Sequence, residues 1–356
     1  MDFERESSSD EEMIEDLEEI KELFPIRGGR VMKERIDHVH HLSDAEFVKR
    51  FRLSKECFHR LLSEVEENIK PRTERNSAIF ASNRLLLTLR FFATGNMLLA
   101  VADFCGVSEA AASQIVKLVA IAIANLRPQY CKMPEGDDIG KAQRSFYNIA
   151  RFPLVIGTID CTHVRIQSPG GDQAENFRNR KGYFSFNVQT VSDANLKILD
   201  IVARWPGSTH DQTIFNNSSI RNRFEQGHFG NGILLGDSGY RNTNYLLTPL
   251  VAPRTEAERL YNEAQIRTRN VVERQYGVWK RRFQVLRLEM RVATERIQPI
   301  IVSTAVIHNI CVDMKEPLPP EDEDDDNNPN IEVERNGDDI AGDKRAEMIQ
   351  YFETLR

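Results

Sequence analysis

The chain has 356 residues and a mass of 40.9 kDa, enough for two or three domains at roughly 100–200 residues each. Apolar residues make up 40 % and charged residues 28 %, which excludes a fibrous or wholly disordered chain and still leaves room for unfolded ends. The net charge of −7 is a sum over unlike segments: residues 1–25 carry −9, residues 313–356 carry −10, and the body between them carries +12, the balance of a surface that meets a polyanion.

Residues 1–25 are acidic where a secretory signal needs a basic start and an apolar middle, so the expectation is a disordered N-terminus on an intracellular chain. Residues 26–127 read as an all-α module. Ser43-Asp-Ala-Glu46 has the form of a capping box, Ser54 caps a run through Val65, and Leu85 to Phe92 continues the apolar stripe. Met97 to Phe104 reads as a helix, Cys105-Gly106-Val107 as a tight turn, and Ser108 as the cap of a second helix burying Ile115, Leu118, Val119 and Ala122. That order suggests a helix-turn-helix. Its second helix is poor in base-reading side chains, however. Only Gln114 and Lys117 could touch DNA, so a structural helical hairpin stays open beside a DNA-reading one. The apolar run Ile115 to Leu126 is too short for a bilayer and carries Lys117, and no membrane insertion is expected. Residues 128–150 read as a linker.

From Arg151 the apolar period changes to two. Leu154 to Asp160 is an apolar strand ending in a carboxylate. Tyr183 to Ser192 and Leu196 to Trp205 form a hairpin around Asp193-Ala194-Asn195, and Gly232 to Gly236 is a short strand followed by Asp237. Val272, Tyr276, Trp279, Phe283 and Leu286 fall on one face of a helix over 270–286, and Pro299 to Cys311 is a last apolar helix. Residues 151–314 therefore predict an α/β layer domain with a mixed sheet and flanking helices. Residues 315–356 are acidic and mostly disordered by composition, with a short helix over 344–355. The five cysteines are scattered without a C-x-x-C pair and read as reduced thiols of a cytosolic or nuclear protein.

Four acids stand where carboxylates are costly: Asp160 and Asp237 after strands, Asp211 after Pro206-Gly-Ser-Thr-His210, and Glu273 beside the buried face of its helix. Each has a plain structural reading. Asp211 could be a helix N-cap, Asp237 a turn residue, and Glu273 the i−4 partner of Arg269. Converging at one sheet edge, they would repel one another unless a multivalent cation were present, and all-oxygen ligation selects Mg²⁺ or Mn²⁺. Such ions can activate water or a DNA 3′-hydroxyl for in-line displacement at phosphorus. Asp237 and Glu273 are separated by 35 residues, and Gly277 leaves the helix face one turn further on bare for a substrate backbone. Two basic clusters are candidates for holding DNA phosphates: Arg178, Arg180 and Lys181, and Lys280, Arg281 and Arg282. His163 and His210 flank two of the acids and are expected to hydrogen-bond rather than ligate, with plain packing equally open. Phe177, beside Arg178, is the candidate for base stacking.

Five ordered segments carry a resemblance: Gly157-Thr-Ile-Asp160-Cys-Thr-His163, Asn179-Arg-Lys-Gly-Tyr183 with Asn187-Val-Gln189, Gly207-Ser-Thr-His-Asp211, Gly236-Asp-Ser-Gly-Tyr240, and Asn270-x-x-Glu273-x-x-x-Gly277-x-x-Lys280-x-Arg282-Phe283. Together they resemble the PIF/Harbinger transposases and the nuclease domesticated from them in animal genomes, strongly over about 150–312 and more loosely over the helical module. The resemblance implies a ribonuclease-H-like DDE-type catalytic domain that hydrolyses or transfers DNA phosphodiesters. Asp160, Asp237 and Glu273 would be catalytic, and Asp160, Asp211, Asp237 and Glu273 would hold Mg²⁺ or Mn²⁺. It also implies a separate Myb/SANT-like DNA-binding partner that assists nuclear import, hence a protein of nucleus and cytoplasm. Family members commonly have glycine where Cys161 follows the first acid. A catalytically silent DNA-binding or scaffold protein is the alternative, and self-association into a homo-oligomer is left open.

Overall fold

The computed structural model describes residues 37–71, 78–320 and 343–355. The expectations of disorder for 1–25 and for the acidic run from Glu321 fall outside the described residues.

The N-terminal part is helical: α1 (His38–His41), α2 (Asp44–Phe51), α3 (Lys55–Ile69), α4 (Ala81–Thr94), α5 (Leu98–Cys105), α6 (Glu109–Ala124) and α7 (Arg127–Tyr130). The expected capping box is present at the start of α2, where Ser43 accepts from the Glu46 amide and Glu46 reaches back to Ser43. Gly106 closes α5 with φ 65°, and Ser108 caps α6, so helix, turn and helix follow as read. By length and composition, the stretch Glu109–Tyr130 could cross a membrane. In the fold α6 is instead a core helix. It buries Ile115, Val116, Val119 and Ile123 and packs on α3, α4, α5 and the late helix α12 (Thr294–Asp313).

Residues 128–150 are not simply a linker. α8 (Asp137–Ala150) packs on the first strand and on the long helix α11 (Glu256–Arg282), with Phe146 fully buried. Its signal was Ile139, Ala142, Phe146 and Ile149 at helical spacing, behind a Pro134–Gly136 start that suggested loop.

The sheet contains β1 (Val155–Arg165), β2 (Ser185–Ser192), β3 (Ile198–Pro206), β4 (Ile233–Leu235) and β5 (Leu246–Leu247), in the order β3-β2-β1-β4-β5. The first three strands are antiparallel, and β4 and β5 run parallel to β1, which is the ribonuclease-H-like arrangement. Two short helices, α9 (Asp211–Asn216) and α10 (Ser219–Glu225), join β3 to β4. The tail contributes α13 (Asp343–Thr354), whose Met348 and Phe352 join a core with Phe152 and Tyr261. The helical module does not keep a core to itself. One apolar cluster runs from Phe47, Leu61 and Ile123 through Val164 and Val188 to Trp279 and Ile307, and residues from Asp37 onward form one compact unit. All five cysteines are free, and Cys57 and Cys311 meet at 3.8 Å within that shared core.

Candidate active site

The last residue pair between β1 and β4 is Thr158 with Leu235. Asp160 and Asp237 each lie two residues beyond it, and the sheet's parallel half therefore ends beside both acids. Asp160 is not at a strand end: β1 continues to Arg165 as the partner of β2, with Asp160 opposite Thr190. The side chain of Asp160 is 17 % exposed, and its Oδ1 accepts from the Cys161 amide at 2.7 Å. Burial raises its pKa well above the ordinary carboxylate value. Asp237 and then Asp211 add to that rise, while Arg269 opposes it. Asp237 is likewise raised, by burial and then by Asp211, with Glu273 adding and Arg269 opposing. Asp160, Asp211 and Asp237 thus lie within one another's field, and Glu273 acts on Asp237.

One stripe of α11 borders this group. Gln265 donates to the Gly236 carbonyl at 2.7 Å, just before Asp237. Arg269 donates from Nη1 to Asp160 Oδ2 at 3.4 Å and from Nη2 to Glu273 Oε1 at 2.6 Å. The Tyr276 hydroxyl donates to the Asp160 carbonyl at 2.6 Å, and Lys280 Nζ donates to Thr162 Oγ1 at 2.6 Å and the His163 carbonyl at 2.9 Å. Positions 265, 269, 273, 276 and 280 recur every three or four residues, so a single helix face runs from the end of β4 along the second half of β1. Sequence reading began this helix at 270 and missed its first half, where dense charge hides the apolar face; Thr255 and Glu258 form its capping box.

The polar residues of these segments have structural reasons. Asn187 Nδ2 donates to Asp211 Oδ1 and to the Thr209 carbonyl, both at 2.8 Å. Asp211 is therefore the first residue of α9, held from β2, and not an N-cap; His210 occupies that position without a side-chain cap bond. At Gly207 a Cβ would stand 2.6 Å from the Phe177 carbonyl, so only glycine lets this turn close on β2. Asp237 Oδ1 accepts from the Gly239 amide at 3.0 Å, so it does serve its turn as well as facing the other acids. Cys161 Sγ meets the Tyr240 hydroxyl at 3.3 Å. On β2, Ser185, Asn187 and Gln189 are almost fully buried, so the strand's polar face looks into protein.

His163 does not stand among ligand oxygens. Its Nδ1 pairs with Ser185 Oγ at 3.0 Å, and burial pulls its pKa down to about 4 despite Asp211. His210 Nδ1 accepts from Arg180 at 2.7 Å. Arg180 and Lys181 are exposed on a turn that Asn179 builds by accepting from the amides of Lys181 and Tyr183. Arg178 is engaged by Glu175 at 2.7 and 3.0 Å and lies 4.4 Å from the Phe184 ring centre. Phe177 packs edge-on against Phe186 at 5.2 Å. Lys280 is turned inward, and burial, with Arg287 and Lys181 nearby, lowers its pKa to about 8.

Two expectations need correction. Arg282 is 4 % exposed and donates to the carbonyls of Arg52 at 2.7 Å and Pro317 at 2.9 Å, so it ties α11 to the helical module and is not presented to a phosphate. Gly277 does not leave a bare face, because the Arg281 guanidinium lies 3.7 Å from where its Cβ would be.

The donor set is all carboxylate oxygen, with two of the pKa values raised by burial and then by the neighbouring acids, and so fits a hard divalent cation in chemistry. It is not drawn in to ligating distance: among the described residues, no group of three or more His, Cys, Asp and Glu side chains stands ready to hold a metal ion, and a guanidinium bridges two of the acids.

Residues 159–309 match the family model described as DDE superfamily endonuclease, a span that includes all four acids. The human protein named "Putative nuclease HARBI1" is 30 % identical over 292 residues, covering 81 % of this chain and 82 % of that protein. The Xenopus laevis protein of the same name is 28 % identical over 244 residues, 67 % of this chain and 70 % of that one. The Arabidopsis thaliana "Protein ALP1-like" is 25 % identical over 290 residues, 75 % of this chain and 70 % of that one. No solved structure matches the chain.

Proposed function

The chain belongs to the Harbinger transposase-derived nuclease family, and on that premise we propose that it cuts or transfers DNA phosphodiesters with divalent metal bound at Asp160, Asp211, Asp237 and Glu273. The observation that carries this reading is the gathering of these acids in a part-buried place: burial first, and then the neighbouring acids, raise the pKa of Asp160 and Asp237 and give a metal-free site a cost that a dication would remove. A bound Mg²⁺ or Mn²⁺ pair supplies the activation of a water or 3′-hydroxyl nucleophile and neutralises charge on the leaving oxygen.

The chain's own part is positioning and electrostatics. Tyr276 and Gln265 hold the backbone at Asp160 and before Asp237, and Asn187 fixes the Asp211 carboxylate. Arg180 and Lys181 on their turn, and Arg281 beyond Glu273, form the basic flank that would receive phosphates. Lys280 and Arg287 add charge behind them. Arg178 belongs to the same flank, although Glu175 must release it first.

A separate Myb/SANT-like protein is the inferred means of finding the DNA and reaching the nucleus from the cytoplasm. Its support is α6, which is buried on α12 and offers Gln114 and Lys117 alone near its start. The catalytically silent reading has one observation in its favour: Arg269 balances two of the acids without a metal.

Cleavage of duplex DNA with the appropriate ends, in Mg²⁺ or Mn²⁺ and with any partner supplied, tests the proposal. Asp160→Asn and Glu273→Gln should each lower the rate by about 10²–10⁴-fold while the protein stays folded. Wild-type rates in either variant would refute the assignment. A wild-type melting temperature indifferent to both ions would favour the silent protein.

A further inference from the structure

Arg269 occupies the place where charge has to be balanced. Its side chain is 12 % exposed, and its two terminal nitrogens go to carboxylates on different elements, Asp160 on β1 and Glu273 one turn later on α11. Asp237 also acts on it through space. These contacts are single-armed, one nitrogen to one oxygen each, and the arm to Asp160 is long at 3.4 Å. This is not the fork-to-fork geometry that makes an arginine–carboxylate pair hard to open.

A guanidinium and a dication compete for these carboxylates. Lone pairs remain for both, but two positive charges a few ångströms apart in a part-buried site repel strongly, so each weakens the hold of the other. The chain's own cation thus stands in for the metal, which explains how Asp160, Asp237 and Glu273 are accommodated around one place without one.

We propose that Arg269 is the resident counter-ion of the site: it neutralises Asp160 and Glu273 in the metal-free protein and competes with the divalent ion for them, so that each weakens the hold of the other. The consequence is a threshold. Metal affinity is weaker than the carboxylates alone would give, and the metal-free fold is more stable than the carboxylates alone would allow. This inference rests on the divalent-metal reading above.

The test is a Mn²⁺ titration of the full chain, followed by thermal melting and by the loss of the free Mn²⁺ electron paramagnetic resonance signal, for wild type, Arg269→Gln and Arg269→Lys. Arg269→Gln should melt below wild type without metal, recover in saturating Mn²⁺, and bind Mn²⁺ about tenfold or more tighter. Arg269→Lys, whose compact ammonium reaches one carboxylate at a time, should fall between the two. Arg269→Gln that folds only when Mn²⁺ is present would be the same result in its extreme form. If it folds under neither condition, tighter binding by Arg269→Lys than by wild type supports the proposal, and equal or weaker binding overturns it. A merely structural arginine predicts lower melting with unchanged or weaker affinity, and that outcome also overturns the counter-ion role while leaving the metal reading intact. Binding by the variants where wild type shows none would support competition directly. No Mn²⁺ binding by any of the three proteins would sink both readings together.

Discussion

Replacing Arg282 by methionine keeps most of the side chain's length and removes its charge and its donors. In the structure Arg282 is 4 % exposed and its guanidinium holds two main-chain carbonyls, Arg52 at 2.7 Å between α2 and α3 and Pro317 at 2.9 Å beyond α12. The same junction contains the bond of Ser54 to Glu316 and the contact of Cys57 with Cys311. Hydrogen bonds from a charged donor are worth ~1.5–3 kcal/mol each, and both carbonyls are only part-buried, so that water can replace part of what the variant removes and a loss of ~3 kcal/mol is expected. With an unfolding entropy of ~2.1 cal/mol/K per residue, a unit of about 300 residues should then melt about 5 °C lower. Thermal melting followed by circular dichroism measures this. Fluorescence anisotropy against duplex DNA, at a temperature where both proteins are folded, should give the same logarithmic salt slope for each. A variant that melts like wild type but loses about one unit of salt slope would show that Arg282 serves a phosphate and that its buried placement is wrong.

Three further outcomes follow from the site and its surroundings. Lys181→Gln and Arg281→Gln should each reduce the salt slope of DNA binding by about one without lowering the melting temperature, and an unchanged slope would remove that residue from the interface. Gly277→Ala should raise stability by ~0.5–1 kcal/mol, since the new methyl group meets only Arg281; a loss of DNA cleavage at full stability would instead restore the reading of a bare face under the substrate. His308 is fully buried, with Nε2 on the Leu196 carbonyl at 2.7 Å, and burial holds its pKa down at about 4 against an ordinary 6.5. Below 6.5 the unfolded chain takes up a proton that the folded one refuses, so this residue's stabilisation is lost as pH falls from 6.5 toward 4, by ~2 kcal/mol at about pH 5. Denaturant titrations at about pH 7.5 and pH 5 should show a loss smaller by ~2 kcal/mol in His308→Gln, and an equal loss in both proteins would refute the shift.

What could be read from the chain was what is local. The Ser43–Glu46 capping box, the Gly106 turn, the alternation from Tyr183 to Ser192 and the apolar run before Asp237 each depend on a few neighbouring residues, and each has its element in the structure. The four acids were legible because unpaired-looking carboxylates beside apolar runs are costly wherever they stand, and their ordered neighbours carried a family resemblance. What was not legible depends on partners far along the chain. The cationic run Lys280-Arg281-Arg282 reads as one surface, yet helix geometry sends its members three ways. Lys280 reaches the backbone of β1, Arg281 lies over Gly277, and Arg282 reaches Arg52 and Pro317.

The same divergence bears on how the acids are to be understood. Glu273 pairs with Arg269 at i−4, as the plain structural reading allowed, and Asp237 bonds within its own turn. Neither fact returns these residues to mere structure, because the same arginine also reaches across to Asp160, and Asp237 still raises Asp160 through the field. A helix-surface ion pair would be exposed and worth ~0.3–0.5 kcal/mol. This one lies at 12 % and 30 % exposure, against a third charge from another strand, where removing any one member changes the electrostatic balance of the others. An arrangement needed only for folding would do as well with neutral, well-packed side chains of similar volume, and it would avoid burying the carboxylates of Asp160 and Asp237. That two buried acids stand here, one of them sharing a part-buried guanidinium with Glu273, is the physical argument on which the proposed exchange of one cation for another rests.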